Sequence, residues 1–457
     1  MSTTEEPSKI DIMISAAREA QAAFELMSQA EVDAIVRAMG KVIYDNAEQL
    51  AEEAVTETRM GNLADKIIKN RGKSRAIWNN LKDKPSRGII SSRDENGIIQ
   101  IAKPMGVVGA VTPTTNPIVT PMCNAMFALK GGNAIIVAPH PRAKHCSTHA
   151  VDLMNAEIKS LGGPDNLIQI ISEPSIDLTT ELMKKVDVLV ATGGPAMVQA
   201  AYSSGKPSYG VGPGNVQVIV DTDVDISSTA EKIIKGRSFD NGIICSGEQS
   251  VIAQKDMFDD VIKAFVAADT FYCDDQATVD KFRAVLFTDG HIAPDVVGQS
   301  ALKIAEMAGV EVPESTRVIL LRSNDAEDDI LRKEKMCPVM VAFAYEDFDD
   351  AIAIAQFNLE IEGKGHSCAI HSNTTAHVEL AGASLPVSRL VVNEPSSITA
   401  GGSLQNGFAP TTTLGCGSWG NNSISENLDY KHLINIHRIG YADKQDVPSD
   451  DEIWDIA

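Results

Sequence analysis

The chain has 457 residues, 44% of them hydrophobic, and a formal net charge of −22, so it can form two or three globular domains. The negative charge argues against nucleic-acid binding by bulk attraction, and no apolar run reaches the length of a membrane span. The seven cysteines are scattered without a C-x-x-C pair, and residues 1–9 have no secretory signal. We therefore expect a cytoplasmic protein with neither a disulfide framework nor a membrane partner.

The first half of the chain is predicted to be helical and then α/β. Apolar residues recur at helical spacing within 8–82, and residues 93–102 resemble a hairpin arm. From residue 107 onward strands and helices alternate, which predicts a parallel sheet with ligands beyond the carboxyl ends of its strands. The predicted strands are 107–111, 134–138, 167–171, 186–191 and 216–220, and the last of these closes the series.

A second α/β series is predicted after residue 245, with strands at 251–253, 317–321, 339–343 and 367–371. The tail mixes an apolar run with acidic residues and could pair with another subunit. We expect a homodimer or homotetramer. The predicted division is a cofactor-binding domain over 1–236 without an arm at roughly 88–103, a catalytic domain over 237–426, and an oligomerisation tail over 427–457.

Cys245 is the first candidate for a catalytic residue. It lies between a glycine-containing turn and a β-like run, where a reactive side chain can meet a substrate. A thiolate there could act as a nucleophile. A small buried apolar cysteine is the alternative interpretation, and this segment alone leaves both open.

Two turns could hold a nucleotide, because each ends a predicted strand and precedes a predicted helix whose N–H groups are open. They contain Pro139 and His140, and Thr192, Gly193 and Gly194. A glycine-rich segment at 210–215 is instead followed by a strand, so we reject the dinucleotide fingerprint and predict a tight turn near the reacting centre.

Asn116 and the histidines allow more than one interpretation. The Asn116 amide and the Cys245 N–H could stabilise an oxyanion, or Asn116 could cap the helix that starts near Pro117. His145 and His149 are spaced i, i+4, but no acidic third ligand accompanies them, so we expect no metal.

Together these segments resemble the aldehyde dehydrogenase superfamily, specifically its CoA-acylating branch, over roughly residues 10–455. The matching segments are 112–117, 192–194, 239–250, 334–339 and 414–420. The resemblance implies an α/β fold with two Rossmann-like domains and a small β oligomerisation arm. It also implies NAD or NADP as cofactor and coenzyme A as cosubstrate, with Glu334 holding the nicotinamide ribose. We assign Gly212 and Pro338 to the same cofactor site.

The resemblance also implies a reaction in which an aldehyde, CoA and NAD(P)⁺ give an acyl-CoA and NAD(P)H, reversibly, through a thiohemiacetal and a thioester on Cys245. Hydrolytic members carry a glutamate that activates water, whereas the matching stretch 209–212 has no carboxylate. Acylating succinate-semialdehyde dehydrogenases are the members that the chain resembles most, before enzymes for sulfoacetaldehyde or acetaldehyde. His366 resembles a histidine of this branch and could handle a proton or be structural.

A basic segment, 66–75, has two interpretations. On a helix Lys66, Lys69 and Lys73 share one face, and a solvated helix face is the simpler interpretation. Because CoA and an acidic aldehyde are anionic, we also predict that Lys66, Lys69 or Arg71 meets the acid group or a CoA phosphate.

Two other functions compete with a dehydrogenase. Cys245 with a histidine could serve a cysteine acyltransferase or hydrolase that needs no nicotinamide. A non-catalytic scaffold is also possible, although Cys245, Asn116 and Glu334 are all intact.

Overall fold

The computed structural model describes residues 6–442 and 447–454, so parts of the predicted tail lie outside the described residues. The helices are α1 (Lys9–Phe24), α2 (Gln29–Asp45), α3 (Ala47–Thr58), α4 (Leu63–Leu81), α5 (Val119–Lys130), α6 (Lys144–Ser160), α7 (Ile176–Lys185), α8 (Pro195–Tyr202), α9 (Ile226–Ser238), α10 (Phe258–Ala267), α11 (Gln276–Leu286), α12 (Ala301–Ala308), α13 (Phe348–Ile361), α14 (Thr375–Ser384), α15 (Ser396–Thr399) and α16 (Asp450–Trp454).

The strands are β1 (Gly88–Ile89), β2 (Ile98–Pro104), β3 (Val107–Thr112), β4 (Ala134–Pro139), β5 (Ile168–Ile170), β6 (Val188–Ala191), β7 (Ser208–Gly210), β8 (Val216–Val220), β9 (Glu248–Gln254), β10 (Thr270–Cys273), β11 (Phe287–Thr288), β12 (His291–Ile292), β13 (Val318–Arg322), β14 (Val339–Tyr345), β15 (Gly365–His371), β16 (Val387–Val392) and β17 (Ile434–Gly440).

The N-terminal part is helical, as predicted. α1 and α2 each begin at a serine whose side chain accepts a backbone hydrogen bond, while an acidic residue three positions later completes a capping box. α4 begins at Asn62, whose side chain accepts from the N–H of Asp65. Every residue of α5 is buried, so this helix is enclosed between the N-terminal helices and the first sheet.

The first sheet has five parallel strands in the order β5-β4-β3-β6-β7. All residues of β3 and β4 are buried, because helices cover both faces. The alternation predicted from residue 107 is therefore confirmed. The carboxyl ends of β3, β4 and β6 lie at one edge of this sheet.

The second sheet has seven parallel strands in the order β10-β13-β14-β9-β8-β15-β16. β8 pairs with β9 and β15 here, so the expectation that residues 216–220 close the first series is wrong. Successive residues of β8 face different core clusters: Val218 and Val220 pack on one side and Ile219 on the other. We propose a domain boundary within 211–215, between the two sheets, instead of at residue 236.

The arm is a three-stranded antiparallel sheet in the order β1-β2-β17. Its third strand comes from the predicted tail and pairs with β2 of the same chain, from Ile434 with Pro104 to Gly440 with Ile98. No helix among the described residues is long and apolar enough to cross a bilayer.

Candidate active site

The loop that carries Cys245 joins α9 to β9. It contains a tight turn in which Asp240, Asn241 and Gly242 all have left-handed backbones, with φ of 50°, 53° and 67°. Cys245 is half-buried, whereas the other six cysteines, all within the described residues, are buried. Its partial exposure favours a thiol that can meet a ligand over a purely structural apolar residue.

Buried charges hold this turn in place. The Asp240 carboxylate forms ion pairs with Lys69 and with Lys66, at 3.1 Å from the Lys66 Nζ, and it accepts the backbone N–H of Asn62 at 3.1 Å. The Asn241 side chain donates to the Gly298 carbonyl at 3.0 Å. A left-handed non-glycine residue costs about 1–3 kcal/mol, and these contacts offset that cost.

The glycine-rich segment 210–215 lies against the nucleophile, as the sequence predicted. A Cβ built on Gly214 would lie 1.7 Å from the Cys245 carbonyl oxygen. Glycine is therefore required here because two backbones approach each other closely. The segment thereby packs directly against the backbone of Cys245.

Two cavities meet at Cys245. The first, which we call the α4 cavity, has a volume of about 850 Å³ and lies between α4, the Cys245 loop and residues 397–414. The second, which we call the sheet cavity, has about 670 Å³ and lies at the carboxyl ends of β3, β4 and β6. Cys245, Asn116 and Thr412 line both cavities. A reagent in either cavity can therefore reach the thiol.

The sheet cavity brings together most of the residues that the sequence assigned to a cofactor. They are Pro139, His140, Thr192, Gly193, Gly194, Gly212 and Glu334. As predicted, α8 starts with Pro195 directly after the glycine turn. Pro338 is different: it is buried at the start of β14 and lines neither cavity, so the structure does not support its assignment to the cofactor site.

Asn116 does not cap a helix. α5 begins at Val119, and the N-cap residue before it is Ile118, which makes no side-chain capping bond. The Asn116 Oδ1 is buried without a hydrogen-bond partner, and no hydrogen bond among the described residues uses this side chain. Its amide N–H groups are therefore available to a ligand beside Cys245.

Comparison with known proteins agrees with this geometry. The sequence profile of the aldehyde dehydrogenase family matches residues 2–277. The chain belongs to the aldehyde dehydrogenase family. It is 57% identical over 444 residues to an acetylating succinate-semialdehyde dehydrogenase of Clostridium kluyveri, and the match covers 97% of this chain and 98% of that protein.

Solved structures extend the comparison. An acetylating aldehyde dehydrogenase of Geobacillus thermoglucosidasius superposes with a TM-score of 0.93 at 34% identity, covering 96% of this chain and 98% of that one. A propionaldehyde dehydrogenase of Rhodopseudomonas palustris, solved with bound CoA and an acylated cysteine, has a TM-score of 0.85 at 31% identity over 94% of this chain and 97% of that one. The predicted membership of the acylating branch and the predicted α/β fold are confirmed.

The thiol of this aldehyde dehydrogenase is protonated near neutral pH. Burial raises the pKa of Cys245 to about 12, and the negative charge of Glu334 acts in the same direction. Burial and the charge of Glu362 raise the pKa of Glu334 to about 8. The charge state of Glu334 thus bears on the pKa of Cys245.

His366 does not reach either cavity. Its ring is buried in β15, with Nδ1 at 3.2 Å from the Ser367 hydroxyl and Nε2 without a partner. Burial and the charge of Arg389 lower the pKa of His366 to about 3, so the ring is neutral at physiological pH. The structure thus gives no support to the prediction that His366 handles a proton.

The basic segment is not a uniformly solvated face. Lys66 and Lys69 are buried and paired with Asp240, and only Lys69 of these two lines the α4 cavity. Arg71 pairs with Glu48 at 2.8 Å on the surface, so the solvated interpretation holds for it. The predicted contact of Lys66 or Arg71 with a substrate is therefore not supported, and Lys73, which that prediction left out, lines the cavity.

Within the described ranges, no group of three His, Cys, Asp or Glu side chains could hold a metal ion. Of the two spaced histidines, His149 pairs with Glu53 at 2.8 Å, and the backbone N–H of His145 donates to Glu57. The ring of His149 and the backbone of His145 thus contact acidic residues of α3 and contribute to packing between α3 and α6.

Proposed function

We propose that this aldehyde dehydrogenase converts an aldehyde, NAD(P)⁺ and coenzyme A into an acyl-CoA and NAD(P)H, reversibly, with Cys245 as the nucleophile. The observation that carries the proposal is that two separate cavities meet at this one accessible cysteine. One cavity admits the aldehyde while the other holds the nicotinamide against the same carbon.

In the first step the Cys245 thiol loses its proton to solvent, its sulfur forms a bond to the aldehyde carbon, and the electron pair of the carbonyl π bond moves to the oxygen, which becomes an alkoxide. The free amide of Asn116 and the backbone N–H of Cys245 donate hydrogen bonds to that oxygen. The residues of the sheet cavity would hold NAD(P)⁺, which would supply the hydride acceptor; collapse of the alkoxide with loss of hydride from the carbon would leave a thioester on Cys245. The CoA thiolate then attacks the thioester carbon, and the Cys245 thiolate leaves.

The residues of the sheet cavity fit a dinucleotide. The turn at 192–194 follows β6, leads into α8 and lines the cavity at the end of a parallel sheet. The N–H of Thr192 donates to the Val111 carbonyl at 3.0 Å, which leaves the N–H groups of Gly193 and Gly194 for a ligand. A Cβ built on Gly194 meets no atom within 4 Å, which leaves room for a ligand beside the backbone. The Glu334 carboxyl lines the same cavity and can accept hydrogen bonds from ribose hydroxyls.

The acyl group is transferred to CoA and not to water, because no free carboxylate at this site can act as a general base that activates a water molecule. The stretch 209–212 contains no carboxylate. Glu334 is the carboxyl group whose charge affects the pKa of Cys245. In our proposal this carboxyl group is hydrogen-bonded to the ribose during turnover. A thiol nucleophile needs no such base, since it attacks as the thiolate.

For the substrate, we propose succinate semialdehyde, with succinyl-CoA as product. The 57% identity to the Clostridium kluyveri enzyme over nearly the full chain supports this choice. The test is an assay of the purified protein with succinate semialdehyde, sulfoacetaldehyde, acetaldehyde and butyraldehyde, each with CoA and with NAD⁺ or NADP⁺. Succinate semialdehyde should have the highest kcat/KM, and a tenfold preference for another aldehyde would contradict the substrate.

The role of Cys245 is tested separately with Cys245→Ala. Loss of the nucleophile should lower kcat by a factor of about 10³ or more for every aldehyde, because the covalent route is removed. Cys273→Ala changes a cysteine outside both cavities and is the matched control. NAD(P)H formation that continues at a tenth of the original rate in Cys245→Ala would contradict the mechanism.

We also propose that the enzyme is a cytoplasmic homodimer or homotetramer joined through the arm. Ile89 on the edge strand β1 is 66% exposed, and β1 has an unpaired edge. Sedimentation equilibrium at micromolar concentration should give two or four subunits, and a monomer would contradict the arm's role.

A further inference from the structure

The α4 cavity is lined by an excess of cations. They are Lys69, Lys73, Arg75, Lys235 and Arg317, and Asp65 is the acidic residue of the lining. This is notable in a protein whose net charge is −22. Arg75, Lys235 and Arg317 are exposed, whereas on α4 Lys69 is buried and Lys73 is half-buried.

The two inner lysines differ in how their charge is balanced. Lys69 forms an ion pair with Asp240. The Lys73 ammonium donates instead to two carbonyl oxygens, that of Gly401 at 2.8 Å and that of Thr411 at 3.1 Å. Lys73 makes no ion pair with a carboxylate of the described residues, and the third N–H of its ammonium has no acceptor there.

The surroundings of Lys73 are shaped to hold its charge. A Cβ built on Gly401 would lie 2.8 Å from the Lys73 Nζ, so the glycine leaves the space that the ammonium occupies. Burial lowers the pKa of Lys73 to about 8, and proximity to the thiols of Cys123 and Cys245 opposes this shift only in part. Removing a cation from water without a counterion is costly, so such a group is retained where a ligand supplies the opposite charge.

We propose that Lys73 binds the anionic end group of the aldehyde substrate and thereby makes the enzyme selective for short oxo-acids over neutral aldehydes. This inference rests on the proposed function, because it places the aldehyde of such a substrate at Cys245 and its acid group at Lys73 in one cavity. The exposed Arg75, Lys235 and Arg317 attract the anion to the entrance, while Lys73 fixes its orientation.

The test is a change of selectivity. Lys73→Met removes the charge at similar length, and Lys73→Gln removes it but keeps an amide donor for the carbonyl groups. A hydrogen bond to a charged group contributes about 1.5–3 kcal/mol, which corresponds to roughly 10-fold to 100-fold. The ratio of kcat/KM for succinate semialdehyde to that for butyraldehyde should therefore fall at least tenfold in both variants, mostly through KM.

Arg71→Met is the matched control, because it removes one positive charge from the same helix outside the cavity. It should leave the ratio within twofold of the original. Sulfoacetaldehyde, measured in parallel, tells whether a sulfonate depends on Lys73 as a carboxylate does. An unchanged ratio in Lys73→Met, or an equal loss for acidic and neutral aldehydes, would overturn the proposal, since the latter indicates that Lys73 only supports residues 401–411.

A readout without turnover separates this inference from the proposed function. Succinate has the acid group but no aldehyde, and it should protect Cys245 from alkylation by iodoacetamide in the original enzyme and in Arg71→Met. Protection should be lost in Lys73→Met, and protection that persists there would overturn the inference. Absence of acyl-CoA formation from every aldehyde would contradict the proposed function, whereas succinate protection would still measure the role of Lys73.

Discussion

At the scale of single residues, the site places a half-buried cysteine beside a carboxyl group that affects the pKa of its thiol. The pKa of Cys245 is raised to about 12 by burial and by the neighbouring Glu334. Only the ionised carboxyl exerts this effect, and the pKa of Glu334 is itself raised to about 8 by burial. Above that pH the carboxylate forms and opposes thiolate formation, so ligands that engage Glu334 also favour the reactive state of Cys245.

The rate of alkylation of Cys245 measures this coupling. Without ligands the rate should rise with pH and reach no plateau below pH 10, since the thiolate is the reactive form. At pH 9, where Glu334 is mostly ionised, Glu334→Gln should accelerate alkylation about threefold to tenfold, because the loss of a negative neighbour lowers the pKa of the thiol.

Mass spectrometry of the Cys245 peptide after reaction with iodoacetamide gives this rate. Glu48→Gln makes the same chemical change on the surface, outside both cavities, and should give no acceleration. A plateau in the alkylation rate near pH 7, or no acceleration in Glu334→Gln, would contradict the coupling.

At the scale of elements, α4 and the turn at 239–242 form a unit that positions the nucleophile. The run Asp240-Asn241-Gly242 is a sequence signal for left-handed backbone, and it could be predicted as a turn. The burial of Lys66 and Lys69 could not, because their counterion lies 174 and 171 positions away in the sequence. Basic residues on a helix favour an exposed face unless a distant acid is known to meet them.

Asp240→Asn tests this unit through stability. Two buried lysines would lose their counterion, which costs about 3–5 kcal/mol, and Lys66→Met should cost less because Lys69 keeps its partner. Burial raises the pKa of Asp240, but the charges of Lys69 and Lys66 outweigh it and lower the pKa overall. The stabilisation is therefore present above the ordinary value of 3.8 and is lost as the pH falls below it.

Urea denaturation of each variant from pH 3 to pH 7 measures these differences. The gap between the original protein and Asp240→Asn should be largest near pH 7 and should shrink below pH 4. Lys41→Met, which removes an exposed ion pair with Asp45, is the control and should cost at most about 1 kcal/mol. A gap that does not depend on pH would contradict the ion-pair account.

The contact between Gly214 and Cys245 gives a second test at this scale. Gly214→Ala would place a methyl group 1.7 Å from the Cys245 carbonyl oxygen, so the Cys245 loop must move. A displacement of about 1 Å lowers the rate roughly 100-fold, and we expect that loss of kcat. Gly407→Ala is the control, since a Cβ there meets nothing within 4 Å. Activity within threefold of the original in Gly214→Ala would show that the contact does not position the nucleophile.

At the scale of the whole molecule, two parallel sheets meet around one thiol, and the arm pairs β2 with β17, a strand more than 300 residues later in the sequence. The alternation of strands and helices could be predicted from periodicity. The membership of β8 could not, because a buried strand carries no mark of which sheet it joins, and β8 follows β7 after only a short turn. Glu334, assigned by its segment, lies with the residues of the first sheet although it precedes a strand of the second.

His366 and Pro338 show the limit of assignment by resemblance. Both belong to segments that match the acylating branch, yet both are buried away from the two cavities. A motif identifies a neighbourhood of the fold, whereas the direction of each side chain depends on packing. The opposite holds for Lys73. It lies in the basic segment, and only the fold shows that it lines the α4 cavity.

The central claim is that the acyl group stays on Cys245 until a thiol, and not water, attacks it. The most direct measurement mixes stoichiometric enzyme with succinate semialdehyde and NAD(P)⁺ and follows NAD(P)H and acid without CoA. We predict one NAD(P)H per active site, an acylated Cys245 visible by mass spectrometry, and turnover to acyl-CoA once CoA is added. Continuous release of free acid at the full rate without CoA, or an unmodified Cys245, would contradict the account.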